Sequence, residues 1–404
     1  MSNRIHRRNA DHRRTGRLAK MTVAAALIAA PTMSALPNAH AVGRTSALRP
    51  AAGGRVDTGV PVFSHPTQIT NPLFPITTTK HMLALGSEGT TRLRQETTRL
   101  DQTRTIRWNG QDVEVIVSQF VAYGDERIIE VAIDYFAQAD DGSVWYFGED
   151  VTNYEDGTIK DHKGTWLAGK DGPPGMIMPA HPKVGDVYRP ENIPGVVFEE
   201  TTVKAVGVTV PGPSGAVSGA IRVEEHPMDG DVETKVYAPG YGEFEATVPA
   251  VSEHVVSAIA VPTDTKGARE PDALDTLSDA ARDALDGATS DRWSKLRART
   301  TAVGGAWDGL RSGGVPATLA EQMQRSVKNL MDAAAARNRA AYAQAALNVE
   351  FAATDIELQY TDRSEVDHDR LGSWKRQSQL DQAAGDAAGV ASDRIIVAAI
   401  KARP

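Results

Sequence analysis

The sequence predicts an α+β protein whose two kinds of structure are segregated along the chain: an antiparallel β-sheet, curved or partly closed into a barrel, followed by an all-α helical bundle. Three observations predict it. Between about 80 and 260 apolar residues recur with a period of two, punctuated by Asn-Gly and Asp-Gly pairs. Beyond 271 the period becomes helical and alanine becomes abundant. Between these regimes lies Pro262-Thr-Asp-Thr-Lys-Gly-Ala-Arg-Glu-Pro271, which is polar and bounded by prolines. The expected organisation is therefore a β-domain over 64–261, a linker over 262–271 and a bundle over 272–404.

Within the β-domain, Gln111 to Val121 puts Val113, Val115 and Val117 on one face and Asp112 and Glu114 on the other. Arg127 to Phe136 does the same, with Ile129, Val131, Ile133 and Tyr135 opposed to Glu130 and Asp134. This alternation suits a sheet with one wet face. Asn109-Gly110, Asp141-Gly142, Asp156-Gly157 and Asp229-Gly230 offer the positive-φ pairs that tight hairpins use. Further strands are expected over 197–210, 216–225, 232–237 and 242–260.

In the bundle, Pro271 suits a first helical turn and Gly287 a stop. Trp293, Leu296, Thr300, Val303, Trp307 and Leu310 alternate spacings of three and four and form a helical seam that Gly313-Gly314 ends. Pro316 opens the next helical region, whose length requires a break near Arg337 to Arg339. Helices over 364–383 and 386–401 complete a bundle of four to six helices.

The N-terminus carries a different signal. Arg4, Arg7, Arg8, Arg13, Arg14, Arg17 and Lys20 precede the short apolar run Met21 to Ala30, and Ala39-His40-Ala41 supplies small residues at the positions a signal peptidase reads. The expectation is a secretory signal over 1–41, cleaved after Ala41, then a flexible leader over 42–63. Arg13-Arg14 lacks the bulky apolar pair of a twin-arginine signal, which favours the general export route. Residues 1–41 hold seven of the 44 basic and one of the 52 acidic residues, leaving 37 against 51 and a net charge of −14 in the mature chain. That balance disfavours nucleic acid or an anionic membrane surface as partner. With no cysteine, disulfide stapling and thiol chemistry are excluded.

Chemistry-bearing residues concentrate between Asp134 and Glu191, a stretch that includes Glu149, Asp150, His162, His181 and Asp186. Carboxylates with histidine can serve acid–base work or a metal. Asp141 and Asp156, however, precede turn glycines, and His181 stands between Pro179 and Pro182 with no second histidine at ligand spacing. Glu149-Asp150 reads as a solvent-facing strand end, and Glu350, Asp355 and Glu357 read as solvated. Gly-x-Ser-x-Gly and phosphate-cradling glycine loops are missing. Glu365-Val-Asp-His368 has the Glu-x-x-His spacing of a di-metal bundle, but it occurs once, and Ser364 with Asp367 reads as a helix start. The sequence therefore assigns no catalytic residue, metal ligand or cofactor. Trp145, Tyr146 and Phe147 are the candidate ligand-binding residues, an aromatic face that a curved sheet can build into a groove.

Asp134-Tyr-Phe-Ala-Gln138, Gly142-Ser-Val-Trp-Tyr-Phe-Gly-Glu-Asp150, Ile177-Met-Pro-Ala-His-Pro-Lys-Val-Gly-Asp186 and Tyr237-Ala-Pro-Gly-Tyr-Gly242, with Asn71-Pro-Leu-Phe-Pro75 at the start, give a resemblance over about 65–250. The chain resembles a group of exported bacterial β-domain proteins, common in actinobacteria, to which no activity is attached. The resemblance implies export and an all-β domain; the helical tail resembles no family. The functional expectation is a secreted non-catalytic binding or scaffolding protein of the envelope or extracellular space, holding a small apolar ligand or an envelope component. Its rival is an extracytoplasmic hydrolase or metal-dependent enzyme built on the 149–191 carboxylates and histidines.

Overall fold

The computed structural model describes residues 54–228 and 231–403. The segment expected to be an export signal (1–41), most of the expected leader and the expected Asp229-Gly230 turn lie outside the described residues. Fourteen strands form one antiparallel sheet, and six helices follow it. The strands are β1 (His81–Glu88), β2 (Thr91–Trp108), β3 (Gln111–Gly124), β4 (Arg127–Gln138), β5 (Val144–Glu155), β6 (Thr158–Asp161), β7 (Trp166–Leu167), β8 (Gly175–Met178), β9 (Val187–Ile193), β10 (Val197–Gly212), β11 (Gly215–Pro227), β12 (Glu233–Ala238), β13 (Gly242–Val248) and β14 (Glu253–Val261). The helices are α1 (Asp272–Gly287), α2 (Trp293–Leu310), α3 (Ala317–Ala336), α4 (Arg339–Glu357), α5 (Arg363–Ala384) and α6 (Ala387–Lys401).

The spatial order is β6-β5-β4-β3-β2-β1-β14-β13-β12-β11-β10-β9, with β7 and β8 paired to β5. Nearly every neighbour in space is a neighbour in sequence, so hairpin turns set the register. Asn109-Gly110 and Asp156-Gly157 adopt the expected positive-φ pair. Asp125-Glu126 does so without a glycine. At Asp141-Gly142 only the glycine is positive, because the Asp141 carboxylate instead accepts from Ser143 N, at 2.9 Å, in a side-chain turn. The expected strand over 242–260 is two, β13 and β14, divided by a 3-10 turn at Pro249–Val251 and left-handed Ser252.

The sheet curls. One core joins Val115, Val117, Phe136, Tyr146 and Phe147 on β3–β5 to Tyr188, Val197, Val203, Val223 and Tyr237 on β9–β12. The two ends approach where Gly175 on β8 meets the Pro190 backbone so closely that any Cβ there would overlap it. The β9 edge is capped by the preceding segment, with Val56 N donating to Val187 O at 2.9 Å and Arg189 N to the Asp57 carboxylate at 3.1 Å. The opposite edge, β6, is four residues long and carries Lys160 and Asp161.

The helices follow the predicted pattern: Arg337 in the left-handed conformation separates α3 from α4, and α5 and α6 begin within a few residues of their expected starts. Asp362, not Ser364, takes the N-cap position of α5. The helices do not keep a core to themselves. Leu83, Leu85, Ala258, Ile259 and Val261 of β1 and β14 belong to the same apolar cluster as Leu274, Leu296, Trp307, Met323, Leu347 and Ile356. The supposed linker is likewise tied down: Lys266 Nζ donates to Gly313 O and Gly314 O, at 3.1 and 2.8 Å.

Residues expected to be solvated are buried between sheet and helices, where they pair. Glu96 of β2 accepts from Arg403 at 2.6 Å and from Arg94 at 2.7 Å. Asp355, expected at the surface and fully buried instead, accepts from Arg94 at 2.6 Å and from Arg370 at 2.6 Å. Arg403 also reaches Asp367 at 3.2 Å and Gln119 at 2.8 Å. Arg363 also pairs with Asp367, so four guanidinium groups meet three carboxylates at this junction. Glu350, likewise expected at the surface, is buried and accepts from Ser373 at 2.7 Å.

Burial alone would raise the Glu96 carboxyl, but Arg94, Arg403 and Arg370 outweigh it and hold it well below the usual range. Its contribution to stability is therefore present above about pH 4.3 and lost as pH falls below that value. Glu96→Gln is expected to destabilise the fold by about 3–5 kcal/mol, because it strands buried guanidinium charge. Urea unfolding at neutral pH measures this, and the difference from wild type should shrink as pH is lowered beneath 4.3.

Candidate ligand-binding site

Two of the sequence motifs meet at one end of the curled sheet. In Asn71-Pro-Leu-Phe-Pro75, the buried Asn71 amide donates to Gly142 O and Pro179 O, both at 3.1 Å, while its side-chain oxygen accepts from Leu73 N at 3.0 Å. These three bonds fix Phe74 and Pro75 against the sheet. In Tyr237-Ala-Pro-Gly-Tyr-Gly242, Gly240 and Gly242 take positive φ and turn the chain from β12 to β13. Gly240 N donates to Pro72 O at 3.0 Å, and Thr79 Oγ1 to Gly240 O at 2.6 Å, so the turn is stitched to the lead-in segment. The Tyr241 hydroxyl is anchored on Asp264 at 2.6 Å.

Between them lies an apolar pocket of about 60 Å³, walled by Phe74, Ile76, Met82, Phe136 and Tyr241, with Arg99 and Glu243 as its charged residues. That volume exceeds the space one water needs and suits the end of an alkyl chain or a small ring. Its polar atoms are unusual. Arg99 Nε is buried with no hydrogen-bond partner, and so is Glu243 Oε1. Buried polar atoms in native proteins are nearly always paired, and the exceptions call for an explanation. Burial pushes the Glu243 carboxyl up to about 8, against the pull of Lys235, so at neutral pH it is mainly the uncharged acid and can donate. The pocket thus presents an apolar wall with two groups able to donate to an acceptor.

Behind Glu243 the sheet interior holds a carboxylate cluster. Lys235 Nζ lies 2.6 Å from Glu225, 3.6 Å from Glu233 and 3.8 Å from Glu243. Desolvation opposes the lysine charge, but Glu225, Glu233, Glu243 and Glu199 outweigh it and raise its pKa well above the ordinary value. Burial together with Glu225 raises the Glu199 carboxyl in turn. Among the described residues, Glu199, Glu225 and Glu233 are the one set of three whose ligand atoms lie within 4.8 Å of one another, a spacing a metal ion could use. The Lys235 ammonium already pairs with Glu225 and Glu233 of this set.

Trp145, Tyr146 and Phe147 are buried inside the curled sheet rather than displayed on a groove. Trp145 Nε1 donates to Ser143 at 2.8 Å, the Tyr146 hydroxyl donates to Asp134 at 2.8 Å, and Phe147 packs edge-on to Phe63 and Trp108. Tyr146 stacks on Phe136 at 5.0 Å and so backs the pocket wall, and none of the three lines the pocket. The rival set does not converge. Glu149 is buried inside, whereas its neighbour Asp150 is exposed and bound to the Tyr135 hydroxyl at 2.5 Å and to Arg104 at 3.3 Å. Nδ1 of His162 lies 2.7 Å from Val151 O, His181 is exposed in a loop, and Asp186 accepts from Lys183 N at 2.8 Å. Sequence reasoning missed Phe74, Met82, Arg99 and Glu243 as a group; the two proline-glycine motifs were the available signal. The chain matches no family model, no curated protein and no solved structure.

Because the folded Glu243 holds its proton to about pH 8, its contribution to stability is intact below about pH 4.3 and is lost as pH rises through 8. The slope is at most about 1.4 kcal/mol per pH unit. Glu243→Gln should remove that component and flatten the pH dependence of urea midpoints between these limits; an unchanged slope would show that the acid is not the titrating group.

Proposed function

We propose that the chain is a non-catalytic binding protein acting outside the cytoplasm, whose sheet holds an apolar ligand with a hydrogen-bond-accepting head, such as a short fatty acid. One observation carries the reading: an apolar pocket in which Arg99 Nε and Glu243 Oε1 are buried and unpartnered. A carboxylate or carbonyl head would satisfy the guanidinium and accept from the protonated acid, while the tail removes Phe74, Ile76 and Met82 from water. Export is supported by the basic n-region, apolar run and Ala-His-Ala site of the first 41 residues. The dispersed acids and histidines of 149–191 favour binding over hydrolysis.

The test is calorimetric titration of the folded chain with octanoate at pH 7. Saturable binding is expected, and Arg99→Ala should weaken it about tenfold, the loss of one charge-assisted hydrogen bond. Met82→Trp should abolish it by filling the pocket. If octanoate binds wild type and both variants alike, the ligand lies elsewhere; if it does not bind wild type, the accepting-head reading fails.

A further inference from the structure

A separate cleft opens on the helical layer, far in sequence from the apolar pocket and built from different chemistry. Asp275, Ser278, Asp279 and Arg282 share one face of α1, at spacings of three and four. Glu365, His368 and Asp369 share one face of α5 in the same way, so both residues of the Glu-x-x-His noted in the sequence line this cleft. Glu270 before α1 and Glu357 at the end of α4 complete a cleft of about 620 Å³. Six carboxylates face it against one guanidinium, and that guanidinium is already drawn to Asp279 at 3.4 Å and Glu350 at 3.9 Å.

Negative charge alone does not make a site, but two buried residues that line this cleft carry polar groups without a hydrogen bond among the described residues. The Ser278 hydroxyl, on a residue 5% exposed, has no hydrogen-bond partner. Glu357, 7% exposed, lines the cleft, and its carboxylate has no hydrogen bond or ion pair among the described residues. Burial pushes that carboxyl up to about 7, and Glu270 and Asp369 add repulsion. Burying an unpaired carboxylate among other carboxylates is costly unless a cation compensates it.

We propose that this cleft binds a small organic polycation, an alkyl polyamine. A bare metal ion is the poorer fit, because the cleft's ligand atoms are spread: the one described set converging within 4.8 Å is Glu199, Glu225 and Glu233, elsewhere in the molecule. Spread carboxylates around a wide cleft match ammonium groups separated by methylene chains. Glu357 and Ser278 take the deepest amine, and Glu270, Asp275, Glu365 and Asp369 take those nearer the mouth.

The experiment is calorimetric titration of the folded chain with spermidine at fixed ionic strength. Wild type is expected to show one saturable site. Glu357→Gln should weaken binding about tenfold, the loss of one charged hydrogen bond. The double variant Glu365→Gln, Asp369→Asn alters exposed side chains that the fold does not need, and it should weaken binding by a similar factor. Asp112→Asn, on the distant sheet, should leave it unchanged. Non-saturable uptake, equal displacement by magnesium at the same ionic strength, or unchanged affinity in the Glu357 and Glu365/Asp369 variants would each overturn the proposal.

Discussion

The buried ion-pair network between β2 and the last helices is the constraint on which the rest depends. Glu96 is the centre: it receives Arg94 from its own strand and Arg403 from beyond α6, while Asp355 of α4 receives Arg94 and Arg370. Glu96, Asp355, Arg370 and Arg403 are buried away from solvent, so each requires its partner in place. The network therefore couples sheet and helices geometrically, whereas the apolar cluster around Leu83, Ile259, Leu296 and Trp307 supplies most of the driving force. Close-lying Tyr123 and Trp374 stack across the same junction at 6.2 Å. His81, buried beside it and bonded through Nδ1 to Thr98 at 2.9 Å, is kept neutral, mainly by desolvation. It therefore adds no further positive charge to the network.

The interior of the curled sheet solves the same problem differently. Around Lys235 the carboxylates outnumber the cation, and the surplus is met by protons, with Glu199, Glu233 and Glu243 all raised by burial. Glu243 belongs both to this cluster and to the apolar pocket. On the proposed binding function, occupancy of the pocket and protonation of the cluster would be linked through that one side chain. A ligand head that accepts from Glu243 favours its protonated form, and by reciprocity a higher pH disfavours the ligand.

Much of the architecture was legible in the sequence. Period-two patterning, Asn109-Gly110 and Asp156-Gly157 located the hairpins, and Pro271, Gly313-Gly314 and Pro316 located helix ends, because these signals are local and backbone-driven. What was illegible was the second face of the sheet. Glu130, Asp134 and Glu149 alternate with apolar residues as solvent-facing residues do, yet they are buried, since the sheet curls and the helices cover it. Likewise Glu350, Asp355 and Glu357 look solvated in a helical pattern, and only tertiary partners from β2, α1 and α5 reveal otherwise. The Asp125-Glu126 turn escaped because neither residue advertises a positive φ as glycine does. The candidate pocket was half-visible: its two motifs were conspicuous, but their contact spans some 170 positions of chain, and no local pattern encodes that (compare Pro72 with Gly240).

The way the sheet ends has a consequence for how copies of this chain coexist. A dozen strands laid side by side in chain order would offer two long ladders of free amides and carbonyls, each a template for a neighbouring molecule. Here one rim is reduced to four residues carrying a lysine and an aspartate, and the other is sheathed by Arg55 to Asp57. Strand-to-strand polymerisation would first have to strip that sheath. Crowded copies are thereby kept from annealing into ribbons.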